Sequence, residues 1–196
     1  LRHPFFGNMA TRLRILAADE WLPTAAVDGR NLYYNTQFFN AMNNKEIEFV
    51  IAHEILHCVF DHLTRRDDRD PVLYNISADY IVNNLLVRDR IGNKPKLIDC
   101  YQDFKYDGWS SEAVYDDLYE KYDEQELKQL GELLDEHIDW EGEGQQGKGP
   151  GSKSKDKKGK PSYSKDELKK IRDEIKENMM SAAQAAGAGN VPGEIE

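Results

Sequence analysis

The sequence predicts a helix-rich α+β domain. Three observations carry the prediction. Apolar residues recur at helical spacing in several segments between residues 4 and 137. One short stretch, 24–34, reads instead as two strands around Asp28-Gly29. Helix-start signals recur along the chain, as Asn43 with Glu46, Asp70 before Pro71, and Ser164 with Glu167.

Taken in order, residues 4–18 place Phe5, Met9, Leu13 and Leu16 on one side of a helix. Residues 24–27 and 32–34 then form a small antiparallel hairpin, because Asp-Gly favours the positive φ of a tight turn. A second helix starts at Asn43 and runs to about residue 65. It is apolar nearly all round, with Ile47, Ile51, Ile55, Val59 and Leu63 along one stripe, so it is expected to be buried. A third helix spans 72–87, and two more follow near 111–122 and 124–137. Residues 142–161 hold Gly, Lys, Ser and Gln with almost nothing apolar, the composition of a flexible linker. A last helix spans 164–186. The domain division is therefore a core over 1–141, the linker 142–161, and a C-terminal helix over 162–188 that packs back on the core. A Gly- and Pro-bearing tail, 189–196, is expected to fray, and a following domain is compatible with where the sequence stops.

Composition narrows the function. The chain has 196 residues and a formal net charge of -10, which argues against a general nucleic-acid or anionic-membrane binder. No apolar run approaches the roughly 20 residues of a transmembrane helix. Two cysteines cannot make a disulfide scaffold, so a reducing cytoplasm is the expected compartment. Cys58 and Cys100 read as core or connector residues. Residues 101–143 hold fifteen acids and three lysines, a surface suited to a basic protein partner. The lysines from 148 to 160 have no aromatic residues among them and read as solvated linker.

The chemistry concentrates in Ala52-His53-Glu54-Ile55-Leu56-His57 and the residues after it. Histidines four apart share one helix face, so both imidazoles can reach one ion. Zn2+ takes neutral imidazole nitrogens readily. Glu54 lies between them, placed to act as general base toward a water whose pKa the metal lowers to ~7. The plain alternative is a pair of satisfied core histidines. A catalytic zinc needs a third protein ligand. Asp61 continues the His53/His57 stripe, and His62 is near in sequence but rotated round a continuous helix. Asp79 is preferred. With Asn75 and Asn83 it forms a polar stripe on an otherwise apolar helix, and a carboxylate buried there needs a cation or several donors. Its alternative is an Asp satisfied by Arg or backbone donors. His137 and Tyr80 are candidates for stabilising an oxyanion.

Several segments together resemble a bacterial and phage metallopeptidase domain family. They are Pro23–Gly29, Leu32–Asn35, His53–His62, Asn75–Asp79, Ser111–Tyr115, Asp135-Glu136-His137 with Trp140, and the Ala-rich C-terminal helix with Gly187 and Pro192. Members often precede a von Willebrand A-like domain. The resemblance implies a zincin-like fold, bound zinc and hydrolysis of peptide bonds in a peptide or protein substrate. It also implies His53, His57 and Asp79 as ligands and Glu54 as base. The competing expectation is a zinc-binding scaffold without catalysis, in which His62 or Asp61 supplies a fourth ligand.

Overall fold

The computed structural model describes residues 2–122, 125–126, 161, 163–193 and 195. The linker 142–161 apart from Pro161, His137 and most of the helix expected at 124–137 lie outside these residues. The chain forms α1 (Pro4–Ala10), β1 (Arg14–Ala17), β2 (Ala25–Val27), β3 (Asn31–Tyr34), α2 (Thr36–Asn40), α3 (Asn44–Val59) and α4 (Pro71–Arg88). A 3-10 turn at Phe104–Tyr106 precedes α5 (Ser111–Tyr119) and α6 (Lys165–Ala186). The fold class is α+β, as the periodicities predict. No helix among the described residues is long and apolar enough to cross a membrane.

The first departure is at the N-terminus. A helix over 4–18 is not what forms. Pro4 sits in the first turn of α1, which stops at Ala10. The chain then turns and continues as β1, paired parallel to β3 from Arg14↔Asn31 to Ala17↔Tyr34. Leu13 and Leu16 keep the helical period only by coincidence. Ile15 and Leu16 are 64% and 42% exposed, and a strand partner 17 residues away decides their conformation. The sheet is consequently mixed and three-stranded, in the order β1-β3-β2, rather than a lone antiparallel hairpin.

The hairpin forms where expected, with Val27 opposite Leu32, but Asp28 N–H bonds the Asn31 carbonyl, so the turn centres on Gly29-Arg30 rather than Asp28-Gly29. Gly29 has φ +84° and Arg30 does not share the positive sign, so the glycine occupies the first central position of the two-residue loop. That position is also crowded, since a Cβ on Gly29 would meet Ile171 Cγ2 at 2.5 Å. The short α2 has no counterpart in the periodic patterns. It is capped by Asn35, whose side chain accepts from Phe38 N–H at 3.0 Å.

α3 begins as Asn43 and Glu46 predict, with a reciprocal capping box. It ends at Val59 instead of near residue 65. The end is a Schellman turn: Asp61 N–H bonds the Cys58 carbonyl and His62 N–H bonds the His57 carbonyl, both at 3.0 Å. Asp61 takes φ +57°, a left-handed conformation usually left to glycine or asparagine. Its carboxylate is held there by Thr64 Oγ1 and by Arg172 Nε on α6, each at 2.7 Å. α4 begins with Asp70 as N-cap and Pro71 at the first turn, as expected.

The main core joins four helices. Phe5, Phe6 and Met9 of α1 meet Phe49, Ala52, Ile55 and Leu56 of α3, Val82, Leu85 and Leu86 of α4, and Ala182 of α6. Side chains of this size contribute roughly 1.5–3 kcal/mol each when fully buried. Val191 and Ile195, in the tail expected to fray, pack against this cluster. A second cluster packs α5 on α4 through Leu73, Ile76, Val114 and Leu118. A third holds α6 to the sheet and α3 through Val27, Cys58, Ile171 and Ile175. α3 and α4 are thus packed side by side, and that places the polar stripe of α4 against the histidines of α3.

Candidate metal centre

His53 and His57 lie one turn apart on α3, and Asp79 lies at the middle of the facing α4. His57 Nε2 is 2.9 Å from His53 Nε2. Asp79 Oδ1 is 3.4 Å from His53 Nε2 and 3.1 Å from His57 Nε2. The three side chains are only 14%, 8% and 14% exposed. Three ligand atoms at ~2.0–2.1 Å from one tetrahedral ion stand ~3.3 Å apart. The triangle therefore has the size, and two imidazoles with a carboxylate have the chemistry, to hold a divalent metal ion.

The outer nitrogens of both histidines are also engaged. His53 Nδ1 is 2.9 Å from Asn83 Oδ1. Asn83 donates its amide to the Tyr101 carbonyl at 2.8 Å. A carbonyl can only accept, so the amide orientation is fixed and Oδ1 must face His53. Neutral His53 then carries its proton on Nδ1 and presents a bare Nε2 to the triangle. His57 Nδ1 is 3.1 Å from His62 Nδ1, and His62 Nε2 is 2.8 Å from Ser111 Oγ. Metal-binding imidazoles commonly have such partners, which set their tautomer and aim.

Burial alone would pull the His53 imidazole down. The hydrogen bond and charge of Asp79 outweigh it, and Glu54 adds to them, so His53 ends above its ordinary value. Burial, reinforced by His57 and Arg65, pushes His62 well below its ordinary value and keeps it neutral. Glu54 is 5% exposed on the same helix.

The other expected residues fall elsewhere. Asp61 does not extend the His53/His57 stripe, because the helix has already ended; it pairs with Arg172 at the surface of α6. His62 is not rotated away, for the same reason. The left-handed turn folds it back beneath His57, on the side opposite the triangle. Tyr80 packs in an aromatic group, edge-on to Tyr106 at 5.0 Å and tilted to Tyr101 at 5.6 Å. Cys58 is a buried core residue whose thiol is pushed up by burial. Asn83 was visible as part of the Asn75/Asp79/Asn83 stripe, without a role. Ser111 opened one of the segments that carry the resemblance, but no local pattern linked it to His62, 49 residues away.

A family model described as "Putative metallopeptidase domain" matches residues 1–196. The chain belongs to that family. No curated protein and no solved structure matches it.

Proposed function

We propose that the protein is a zinc-dependent metallopeptidase with a zincin-like active site. The observation that carries the reading is the convergence of His53 Nε2, His57 Nε2 and Asp79 Oδ1 within 3.4 Å in a nearly buried site. His53, His57 and Asp79 would hold the ion. A zinc there supplies Lewis acidity, lowering the pKa of water toward ~7 and polarising a substrate carbonyl. Glu54, beside His53, accepts the proton of the attacking water and delivers it to the leaving amine. Asn83 accepts at His53 Nδ1 and keeps that imidazole aimed while this happens. For the oxyanion, His137, outside the described residues, is the candidate kept, since Tyr80 packs against Tyr101 and Tyr106. Two imidazoles and a carboxylate also suit ferrous iron. The family and the buried glutamate next to the first histidine favour zinc and hydrolysis.

The test is metal content per folded polypeptide, followed by cleavage of a mixed peptide library read by mass spectrometry. The expected result is about one zinc per chain and a Glu54→Gln variant that keeps zinc but loses roughly 10²–10⁴-fold in rate. No zinc in a folded, reconstituted protein would overturn the reading. Cleavage unaffected by Glu54→Gln would leave a zinc-binding scaffold.

A further inference from the structure

His62 is engaged at both ring nitrogens, Nδ1 by His57 and Nε2 by Ser111. It is 7% exposed and lies against His57, not in the triangle. Its ring meets the His57 ring at 5.1 Å and the Tyr74 ring edge-on at 6.3 Å. Its position is built at some expense. The Schellman turn after α3 requires a left-handed residue, and the chain places Asp61 there, in a conformation that a residue with a Cβ adopts only at a cost. Thr64 and Arg172 then hold Asp61 in place. Nearby, Arg65 pairs with Glu112 at 2.7 Å, tying the same loop to the α5 residue that follows Ser111.

The protons along this chain of groups can be assigned in sequence. For His57 to offer Nε2 to a cation, its proton must sit on Nδ1. The group 3.1 Å from that N–H is His62 Nδ1, which must therefore be the bare, accepting nitrogen. The proton of neutral His62 is then on Nε2, and it donates to Ser111 Oγ at 2.8 Å. Each nitrogen has one role and no two donors face each other. The two ligand histidines are thus preset by different means: His53 through an amide that ends on a backbone carbonyl, His57 through a second imidazole that ends on a hydroxyl.

We propose that His62 is a positioning residue for the metal centre, accepting the Nδ1 proton of His57, and that Ser111 holds His62 in the tautomer that permits this. The inference rests on the metal reading above, and it excludes His62 as a fourth ligand. Outer partners of metal-bound histidines typically contribute 10–100-fold in metal affinity.

The experiment is competition of the full chain against a chromophoric chelator for Zn2+. His62→Leu keeps the bulk and removes the acceptor; its zinc affinity should fall 10–100-fold. His62→Asn places an amide oxygen near the position of Nδ1 and should recover most of that loss. Ser111→Ala leaves His62 in place and should cost several-fold. Circular dichroism and the melting of the metal-free proteins report folding, and should His62→Leu fail to fold, the Asn and Ser111→Ala variants carry the test. If wild type binds zinc and folded His62→Leu or Ser111→Ala binds it equally well, the positioning role is overturned and the metal reading stands. The same holds if His62→Asn is no better than His62→Leu. If wild type binds no zinc, both fall together.

Discussion

Two nearly buried carboxylates, Asp28 and Asp79, sit in opposite chemical circumstances. Asp28 is fully buried at the hairpin turn, and donors surround it. Arg30 N–H, Asn31 N–H, the Asn31 amide, Tyr33 Oη and Tyr163 Oη approach within 2.5–2.8 Å. Four of these five come from within five residues of Asp28, so the hairpin neutralises its own anion. Tyr163, at the entrance to α6, adds the long-range tie. Asp79 lies instead in a helix whose backbone donors are already used, and what it faces are two imidazoles. A buried carboxylate ringed by N–H and O–H groups is complete as a structural element. One aimed between ring nitrogens that also bear lone pairs calls for a cation.

The largest expected effect separates the two directly. Asp28→Ala leaves several donors buried without an acceptor, at about 1–3 kcal/mol each before relaxation, so the fold should lose about 3–5 kcal/mol. Urea denaturation of the metal-free protein measures this, and zinc stoichiometry in the folded fraction should not change. The mirror experiment comes next. Asp79→Ala should weaken zinc binding at least about 100-fold, more than an outer partner costs. Its cost to metal-free stability should be smaller than that of Asp28→Ala, because two imidazoles rather than five donors face Asp79. An Asp79→Ala variant as unstable as Asp28→Ala, with zinc retained, would erase the distinction.

Two smaller effects sharpen the Asp28 side. Gly29→Ala forces a Cβ into a position with φ +84° and within 2.5 Å of Ile171 Cγ2. We expect a loss of about 1–3 kcal/mol in urea, with no change in zinc affinity. The smallest effect is alkaline. Burial and the hydrogen bond to Asp28 push Tyr163 up to about 12, and the same causes raise Tyr33. A folded value above the unfolded one means the contribution is fully present below about pH 10. It is lost as pH rises toward about 12. The denaturation midpoint should therefore fall over that window, and Tyr163→Phe should flatten the fall. A midpoint in wild type that is level from pH 10 to 12 would remove the phenols from the account.

Local sequence determined a good deal of this molecule. Capping residues placed the starts of α3, α4 and α6, because a cap is satisfied within three residues of itself. The turn at Gly29-Arg30 is local for the same reason. His53 and His57 share a face by helical period alone, and Asp79 stood out because a polar stripe on an apolar helix needs an explanation. What the pattern could not decide was where a period stops being a helix. Leu13 and Leu16 continued the rhythm of α1 into a strand, since pairing with β3 outweighs a weak local preference. The end of α3 was likewise open, because Asp61 carries no glycine-like signal, and its left-handed turn is held by Arg172, more than a hundred residues on.

That turn is where sequence and tertiary structure divide over the candidate metal centre. The motif supplied the two imidazoles and the glutamate, and their spacing on one helix is a property of the backbone alone. The Asp79 oxygen that completes the triangle, the Asn83 amide, the reversal that brings His62 under His57, and the Ser111 hydroxyl beside it all come from packing between elements distant in the chain. A periodic pattern reports only neighbours within a turn or two. The aim of an imidazole depends on which group sits 3 Å behind it, and here those groups arrive only once α3, α4 and α5 have packed.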